Sequence, residues 1–166
     1  MTDFTIALAT ALARADNQPQ ATCAALCALA QDLVGARLFT MSVIDAPAGL
    51  ARRLYSNMPL AYPVSGTKPM QDDDWSRQVI GGQNIFVANR IEDIASVFPD
   101  YPLILSLGCA AVINVPVVVA GRVIGTVNCL DVAGHYTPTR VAAAAALRLP
   151  GAACLMLNML LNKETL

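Results

Sequence analysis

Apolar and polar positions divide the chain into helical ends and a strand-rich middle. Apolar residues recur at helical spacing over residues 4–15 and again over 21–33, which predicts two N-terminal helices within 4–34. Strand-like apolar patterns over 36–45 and 51–56, separated by a turn rich in proline, alanine and glycine, predict a β-hairpin. The first third of the chain therefore predicts helices followed by a hairpin.

The clearest feature of the sequence is a second predicted hairpin. Residues 111–119 and 123–130 are two runs rich in β-branched residues, and a turn that contains glycine joins them. We expect this hairpin to form the centre of the sheet. Between the two hairpins, residues 57–74 lack periodicity and contain several prolines and glycines, which predicts a long ordered loop. Long loops of this kind often carry binding sites.

Shorter elements and a terminal helix complete the predicted order. A short helix over 75–81 follows three aspartates, and a short strand and a helical segment are predicted within 84–98. A capping threonine and a proline at 137–138 start a last helix that runs to about Lys163. The Pro-Gly pair at 150–151 predicts a kink or break in that helix.

The sequence of residues 114–128, NVPVVVAGRVIGTVN, resembles the signature of GAF domains, in which an apolar strand with an internal proline, a short turn and an Ile-Gly strand follow one another. Residues 136–138, Tyr-Thr-Pro, match the helix start that comes next in that family, and residues 85–94 resemble its strand and Asp-containing turn. The resemblance covers residues 20–162. It implies an α+β fold: a central antiparallel sheet with N- and C-terminal helices on one face and a loop-covered ligand pocket on the other.

The resemblance and the element order together indicate one free-standing GAF-like domain over residues 1–166. It would comprise N-terminal helices over 4–34, the sheet and pocket loops over 36–136, and a C-terminal helix over 138–163. A length of 166 residues fits a single hydrophobic core. Because GAF domains host many ligands and a few enzymes, the fold does not by itself specify a function.

Composition narrows the function classes. The chain is 55% hydrophobic and only 14% charged, which argues against intrinsic disorder. A net charge of -1 offers no basic surface to a polyanion, so we expect no nucleic-acid partner. The apolar stretches 110–130 and 141–161 are interrupted by arginine, proline, glycine or asparagine, and we therefore expect no membrane span. The N-terminus shows no secretory signal pattern, which favours a cytoplasmic location.

The apolar excess also bears on assembly. Helices that are apolar nearly all round need to be covered on more than one side. The GAF resemblance implies dimerisation through the terminal helices, and a buried homodimer interface would supply that cover. The alternative is a monomer whose alanine-rich helices only pack on the sheet.

The predicted loop supplies most candidate ligand-binding groups. Ligand sites favour an apolar cleft with a few directed polar groups, and Tyr62, Lys68 and Trp75 fit that description. Tyr55 lies just before the loop. A lysine in the pocket favours a small organic ligand that is anionic or carbonyl-bearing. In the alternative reading, the loop is anchored by its own tryptophan and tyrosine while Lys68 is in solvent.

Cysteine and histidine supply the remaining candidates. The five cysteines are an odd number in apolar surroundings, which indicates reduced thiols. Cys109 and Cys129 lie beside the strong hairpin, and His135 lies four positions after Asp131. Cys129, His135 and Asp131 would be a nucleophile, a base and an orienting group in principle, although structural roles are the alternative. The predicted ligand-binding residues are Tyr55, Tyr62, Lys68, Trp75, Cys109, Asn114, Cys129 and His135.

These observations predict a small-molecule-binding GAF-like domain with a sensory or regulatory role. The alternative is a small metabolic enzyme on the same fold that uses Cys109, Cys129, His135, Tyr62 and Lys68; a dimerisation module with a degenerate pocket is a third reading. The GAF resemblance also suggests free methionine-(R)-sulfoxide reductase, a family that places its catalytic cysteines ahead of the central hairpin and in the preceding loop. No cysteine lies between Cys27 and Cys109, and this departure disfavours that activity. The sequence also lacks the family's bilin and cyclic-nucleotide patterns and a metal-ligand set, and it specifies no cofactor or catalytic residue.

Overall fold

The computed structural model describes residues 3–64 and 67–162, and it shows a six-stranded antiparallel sheet flanked by helices. The α+β prediction is confirmed. The strands are β1 (Leu38–Asp45), β2 (Leu50–Ser56), β3 (Thr67–Pro69), β4 (Phe86–Ala88), β5 (Ala111–Val119) and β6 (Arg122–Asp131). The helices are α1 (Asp3–Leu12), α2 (Gln20–Leu33), α3 (Asp74–Ser76), α4 (Ile91–Ala95), α5 (Tyr101–Ser106), α6 (Pro138–Ala144) and α7 (Arg148–Asn162).

The strands lie in the order β3-β2-β1-β6-β5-β4. Both predicted hairpins are present, and pairing of β1 with β6 joins them at the middle of the sheet. The second hairpin is therefore central, as expected, with β6 next to the sheet's midline. Pro116 is accommodated within β5, and its partner across the ladder is Thr126.

The terminal helices cover one face of the sheet. Helix α7 packs on β5 and β6, α2 packs on β1, and α1 contacts α2 and α7. Two glycines allow α7 to approach: a Cβ on Gly151 would lie 2.9 Å from methyl groups of Val117 and Val127, and one on Gly125 would collide with the Ser42 carbonyl oxygen and Leu155. The larger core cluster lies between these helices and the sheet.

The break in the C-terminal helix lies earlier than predicted. Residues Ala145–Leu147 form a 3₁₀ turn, whereas Pro150 and Gly151 lie in regular α-helix. Proline is tolerated in the first turn of a helix, but it cannot donate to the carbonyl four residues before it, so the disturbance falls one turn upstream. The helix extends through Asn162; the predicted end at Lys163 lies outside the described residues.

The opposite face of the sheet is covered by short elements instead of long helices. The predicted loop over 57–74 contains the short edge strand β3, which pairs with β2; residues 65 and 66 of that loop lie outside the described residues. The short helix predicted over 75–81 is divided into α3 and one π-helical turn, Arg77–Gly81. Helix α5 was not predicted from the sequence. A smaller core cluster lies under these elements.

One helical stretch within the described residues, Pro138–Asn162, is long and apolar enough to cross a membrane by length and composition alone. Core helices of globular domains meet the same test. In the structure this stretch includes α7, whose inner face packs against β5 and β6.

Close packing of α7 on the sheet is testable at Gly125. A Gly125→Ala variant places a methyl group against the Ser42 carbonyl oxygen and the Leu155 side chain. We expect a loss of about 1–3 kcal/mol in the free energy of unfolding, the usual range for overpacking, measured by urea denaturation. The control is Gly81→Ala, because the nearest atom to that added Cβ is the Ser76 carbonyl oxygen at 4.0 Å. A Gly125→Ala variant as stable as the control would contradict this packing.

Candidate functional site

A cavity of about 370 Å³ lies between the sheet and its covering of short elements. Its floor is formed by β1, β2, β5 and β6, and its walls by the segment after β2, by β3 and α3, and by residues 97–104. Its size falls within the range of small-molecule sites. The lining residues are Thr40, Ser42, Ile44, Ala51, Arg53, Tyr62, Lys68, Pro69, Met70, Gln71, Asp73, Trp75, Ser76, Val97, Phe98, Pro99, Asp100, Ile104, Val112, Asn114, Thr126, Asn128 and Leu130.

A chain of hydrogen bonds crosses the floor. The Trp75 indole nitrogen donates to Asn114 Oδ1 at 2.9 Å, and Asn114 Nδ2 donates to Asn128 Oδ1 at 2.7 Å. Asn128 Nδ2 then donates to Thr40 Oγ1 at 3.1 Å and to Ser42 Oγ at 3.4 Å. Asn128 is the cross-strand partner of both Asn114 and Thr40, so the sheet register itself aligns these side chains.

A second polar group closes one wall of the cavity. Tyr62 donates its hydroxyl hydrogen to Asp100 Oδ2 at 2.6 Å, and Lys68 Nζ lies 3.4 Å from the same oxygen. Burial opposes ionisation of Asp100, but the hydrogen bond from Tyr62 and the charge of Lys68 outweigh it and lower the pKa of that carboxyl. Burial and the bond to Asp100 raise the pKa of Tyr62. Tyr62 is therefore the donor at neutral pH.

Aromatic rings form part of the apolar lining. The Phe98 ring meets the rings of Trp75 and Phe86 edge to face, with centroids 6.2 Å and 6.1 Å apart. Asp73, as predicted for the acids before this helix, caps α3 by accepting from the Ser76 backbone N–H at 2.7 Å. Trp75 is thus positioned from both sides, by the capped helix and by its bond to Asn114.

Four of the residues predicted for the site line this cavity: Tyr62, Lys68, Trp75 and Asn114. The sequence left open whether Tyr62 and Trp75 bind a ligand or only anchor the loop. In the structure they anchor the covering segments and also face the cavity. The Lys68 side chain is 62% exposed, and its ammonium group is paired with Asp100. An anion at Lys68 would therefore compete with that carboxylate.

Tyr55 was expected in the pocket but lies on the other face of the sheet, where its ring meets Phe39 at a centroid distance of 6.0 Å. The reason is a bulge in β2. Met41 pairs with Tyr55, yet the next residue of β1, Ser42, pairs with Arg53, so Leu54 is skipped. Regular alternation would give Tyr55 and Arg53 the same face; the bulge sends Tyr55 towards the helices and Arg53 into the cavity.

The two cysteines expected near the pocket do not line it. Cys129 is fully buried in the helix-side core, and Cys109 is fully buried in the smaller cluster. Burial raises the pKa of both thiols, which disfavours the reactive thiolate. Neither environment resembles the electropositive, accessible surroundings of a nucleophilic cysteine.

His135 also lies away from the cavity. Its Nε2 lies 2.9 Å from the Val34 carbonyl oxygen, where it would act as a donor, and 3.7 Å from Asp131 Oδ2. Arg140 approaches the other ring nitrogen at 3.5 Å. The ring thus ties the segment after β6 to the end of α2. Cys129 faces the helix-side core and makes no hydrogen bond to His135 among the described residues, so the proposed nucleophile-base pair is not assembled.

Sequence reasoning missed several polar residues of the floor, above all Arg53, Ser42 and Thr126. One signal was present: two adjacent arginines in a predicted strand must point to opposite faces, so one of them faces inward or towards a pocket. The bulge in β2 decides which of the two arginines faces the cavity, and no pattern in the sequence predicts that bulge. Within the described residues, no group of three or more histidine, cysteine, aspartate or glutamate side chains could hold a metal ion.

The bond between Tyr62 and Asp100 makes stability depend on pH. Because the pKa of Asp100 is lowered in the folded state, its contribution is present above the ordinary value of 3.8 and is lost as the pH falls through the folded value. We expect Tyr62→Phe to cost about 1–3 kcal/mol at neutral pH, and the deficit to shrink in strongly acidic solution. Urea denaturation across pH measures it, with Tyr101→Phe at an exposed tyrosine as control; a deficit independent of pH would contradict this assignment.

No protein-family model and no curated protein matches this sequence. Solved structures do match. The GAF domain of a phosphoenolpyruvate-protein phosphotransferase from Coxiella burnetii is 12% identical, with 96% of both chains covered and a TM-score of 0.66. The GAF domain of a two-component sensor histidine kinase from Bacillus halodurans is 10% identical, covering 86% of this chain and 95% of its own, with a TM-score of 0.66.

A chromophore-binding domain of an unusual bacteriophytochrome from R. palustris is also similar. It is 10% identical and matches 96% of this chain and 60% of its own length, with a TM-score of 0.63. At these identities the likeness concerns the fold. The chain described here has the GAF-like fold that its sequence resemblance implied.

Proposed function

We propose that this chain is a sensory or regulatory domain that binds a small organic molecule in the cavity above β1, β5 and β6. The observation that carries the proposal is the cavity itself: about 370 Å³, with an apolar lining and a hydrogen-bonded polar floor. Structural neighbours add support, since one is a chromophore-binding domain and another belongs to a sensor histidine kinase.

Tyr62, Lys68, Trp75 and Asn114 are the proposed ligand-binding residues predicted from the sequence. The cations Lys68 and Arg53 line the cavity together with hydroxyl groups on the floor. Such groups favour an anionic or carbonyl-bearing ligand, because each of them can donate a hydrogen bond to an oxygen acceptor. The enzyme alternative keeps two of its proposed residues in the cavity, Tyr62 and Lys68, whereas its two thiols are buried and His135 lies elsewhere.

Ligand binding is testable by filling the cavity. Ala51 lines it, and Ala48 is exposed in the turn of the same hairpin. We expect a panel of small organic acids, amides and aromatic metabolites to include compounds that raise the Tm of the wild type. At a hundredfold excess over Kd, such a compound adds about 2.7 kcal/mol to the free energy of unfolding. Ala51→Phe should abolish the rise, whereas Ala48→Phe should retain it.

Two other outcomes would change this proposal. Compounds that stabilise the Ala51→Phe variant as well as the wild type bind elsewhere, which would contradict the assignment of the cavity. Mass spectrometry of each stabilising compound after incubation tests for turnover, and consumption of the compound would replace the sensory function with an enzymatic one.

We also propose that the chain forms a homodimer through α7. The inner face of this helix, including Gly151, Leu155 and Asn158, is buried in the domain. A second stripe, Leu149, Ala153, Met156 and Leu160, recurs at intervals of four, three and four residues, and three of its members are exposed: Leu149 81%, Met156 45% and Leu160 75%. This is the spacing of a coiled-coil seam, and it contains no charged residue. Two identical seams are complementary about a two-fold axis, so a second copy is the proposed occupant.

Sedimentation at micromolar concentration tests the dimer. We expect the wild type to sediment at twice the chain mass of 17.5 kDa, and a double variant, Leu149→Glu with Leu160→Glu, at the mass of one chain. The change places like charges in the seam without touching the buried face of α7. The control is Leu105→Glu, which alters a half-exposed leucine on α5 and should leave the mass unchanged. A monomeric wild type would contradict the proposal.

A further inference from the structure

Three polar side chains of the cavity floor lie in one row across neighbouring strands. Ser42 of β1 pairs with Arg53 of β2 on one side and with Thr126 of β6 on the other. All three line the cavity, and we call them the donor row. The row runs parallel to the chain of bonds through Asn114 and Asn128, two residues further along β1 and β6.

The polarity of that neighbouring chain leaves the hydroxyl hydrogens without acceptors. An indole N–H can only donate, so Asn114 must turn its oxygen to Trp75 and its nitrogen to Asn128. Asn128 in turn presents its nitrogen to the oxygens of Thr40 and Ser42. These hydroxyls therefore accept from the chain. Among the described residues, no acceptor is seen for their own hydrogens, which remain available to a ligand.

Arg53 adds a positive charge to the same end of the floor. Its guanidinium group lies 3.8 Å above the centre of the Tyr62 ring, and one N–H donates to the Pro63 carbonyl oxygen. Among the described residues, no second acceptor is seen for the remaining N–H groups of the fork, and no carboxylate forms an ion pair with them. Lys68, by contrast, is paired with Asp100. Of the two cations that line the cavity, Arg53 is the one that pairs with no carboxylate of the described residues.

We infer that the donor row binds the carboxylate of a small monocarboxylic acid, whose apolar body lies against Phe98, Ile104 and Leu130. A guanidinium fork at one end of the row and two hydroxyls beside it offer N–H and O–H donors to the two oxygens of a carboxylate. Of the two aspartates that line the cavity, Asp100 is paired with Lys68 and Asp73 accepts from the Ser76 backbone N–H, so neither is engaged with Arg53 and one carboxylate can pair with it. This inference rests on the proposed function, since it assumes that the cavity binds a ligand.

The test compares acids with their neutral amides on the full chain. The probes are isocaproate, benzoate and phenylacetate, each paired with its primary amide, and Kd is measured by calorimetry for wild type and variants. We expect each acid that binds to bind about tenfold or more tightly than its amide. Arg53→Gln should weaken acid binding about 10- to 100-fold, the cost of a charged hydrogen bond, and leave amide binding little changed.

Matched variants separate the donor row from its surroundings. Arg52→Gln is the control, because Arg52 directly precedes Arg53 in β2 and lies outside the cavity lining. Ser42→Ala and Thr126→Val each remove one hydroxyl with little change of volume, and each should weaken acid binding roughly 2- to 10-fold. They keep the inference testable if Arg53→Gln does not fold.

The remaining outcomes would contradict the inference. Equal affinity for acids and amides, or acid affinity unchanged in both hydroxyl variants, would overturn the carboxylate site while leaving the cavity as a binding site. Loss of acid binding in Lys68→Gln but not in Arg53→Gln would assign the anion to Lys68 and also overturn it. If no probe of either series bound the wild type while compounds of the wider panel still raised its Tm, this inference alone would fail; if no compound of that panel bound either, the proposed function would fail as well.

Discussion

The hydrogen bonds that run from Trp75 to β1 are the interaction on which the cavity depends. Asn114 and Asn128 lie almost fully buried in the middle of a sheet, where an unpaired amide costs about 1–3 kcal/mol. Each satisfies the other, and Trp75 and Thr40 complete the set at its two ends. The same bonds hold the covering segment over the floor and fix which polar atoms face the cavity. One network thus joins the central strands, the covering segment and the polar atoms that face the cavity.

The cavity exists because the two faces of the sheet are covered differently. On one face, Gly125 and Gly151 let α7 lie directly against β5 and β6. On the other face, only short elements span the sheet, and they meet it at anchors such as Trp75 and the pair formed by Tyr62 and Asp100. Between these anchors the cover stands away from the strands. The hydrogen-bond network satisfies the Asn114 and Asn128 amides there, while hydroxyl groups of the floor face the cavity.

The spacing of apolar residues predicted much of the fold, whereas the residues that line the cavity also depend on how the strands pair. Two β-branched runs and a glycine turn were enough to predict the central hairpin, because no other element suits that pattern. Tyr55 was misplaced and Arg53 overlooked for one reason: a bulge at Leu54 changes which side chains of β2 face the cavity. Bulges arise from pairing between strands, and a single strand's sequence does not reveal them. The prediction that Cys109 and Cys129 line the pocket was wrong, because a cysteine buried in the core and a cysteine in a pocket have the same apolar sequence surroundings.

A regulatory role also requires a physical connection between the cavity and the surface that a partner meets. Strand β6 supplies it, because Thr126 and Asn128 face the cavity while Val127, between them, packs against α7 at Gly151. A ligand at the floor and the proposed dimer seam on α7 are therefore separated by one strand and one helix. A ligand shifts an equilibrium only by its difference in affinity for two states. If it binds monomer and dimer differently, linkage requires that its presence change the dimerisation constant by the same factor.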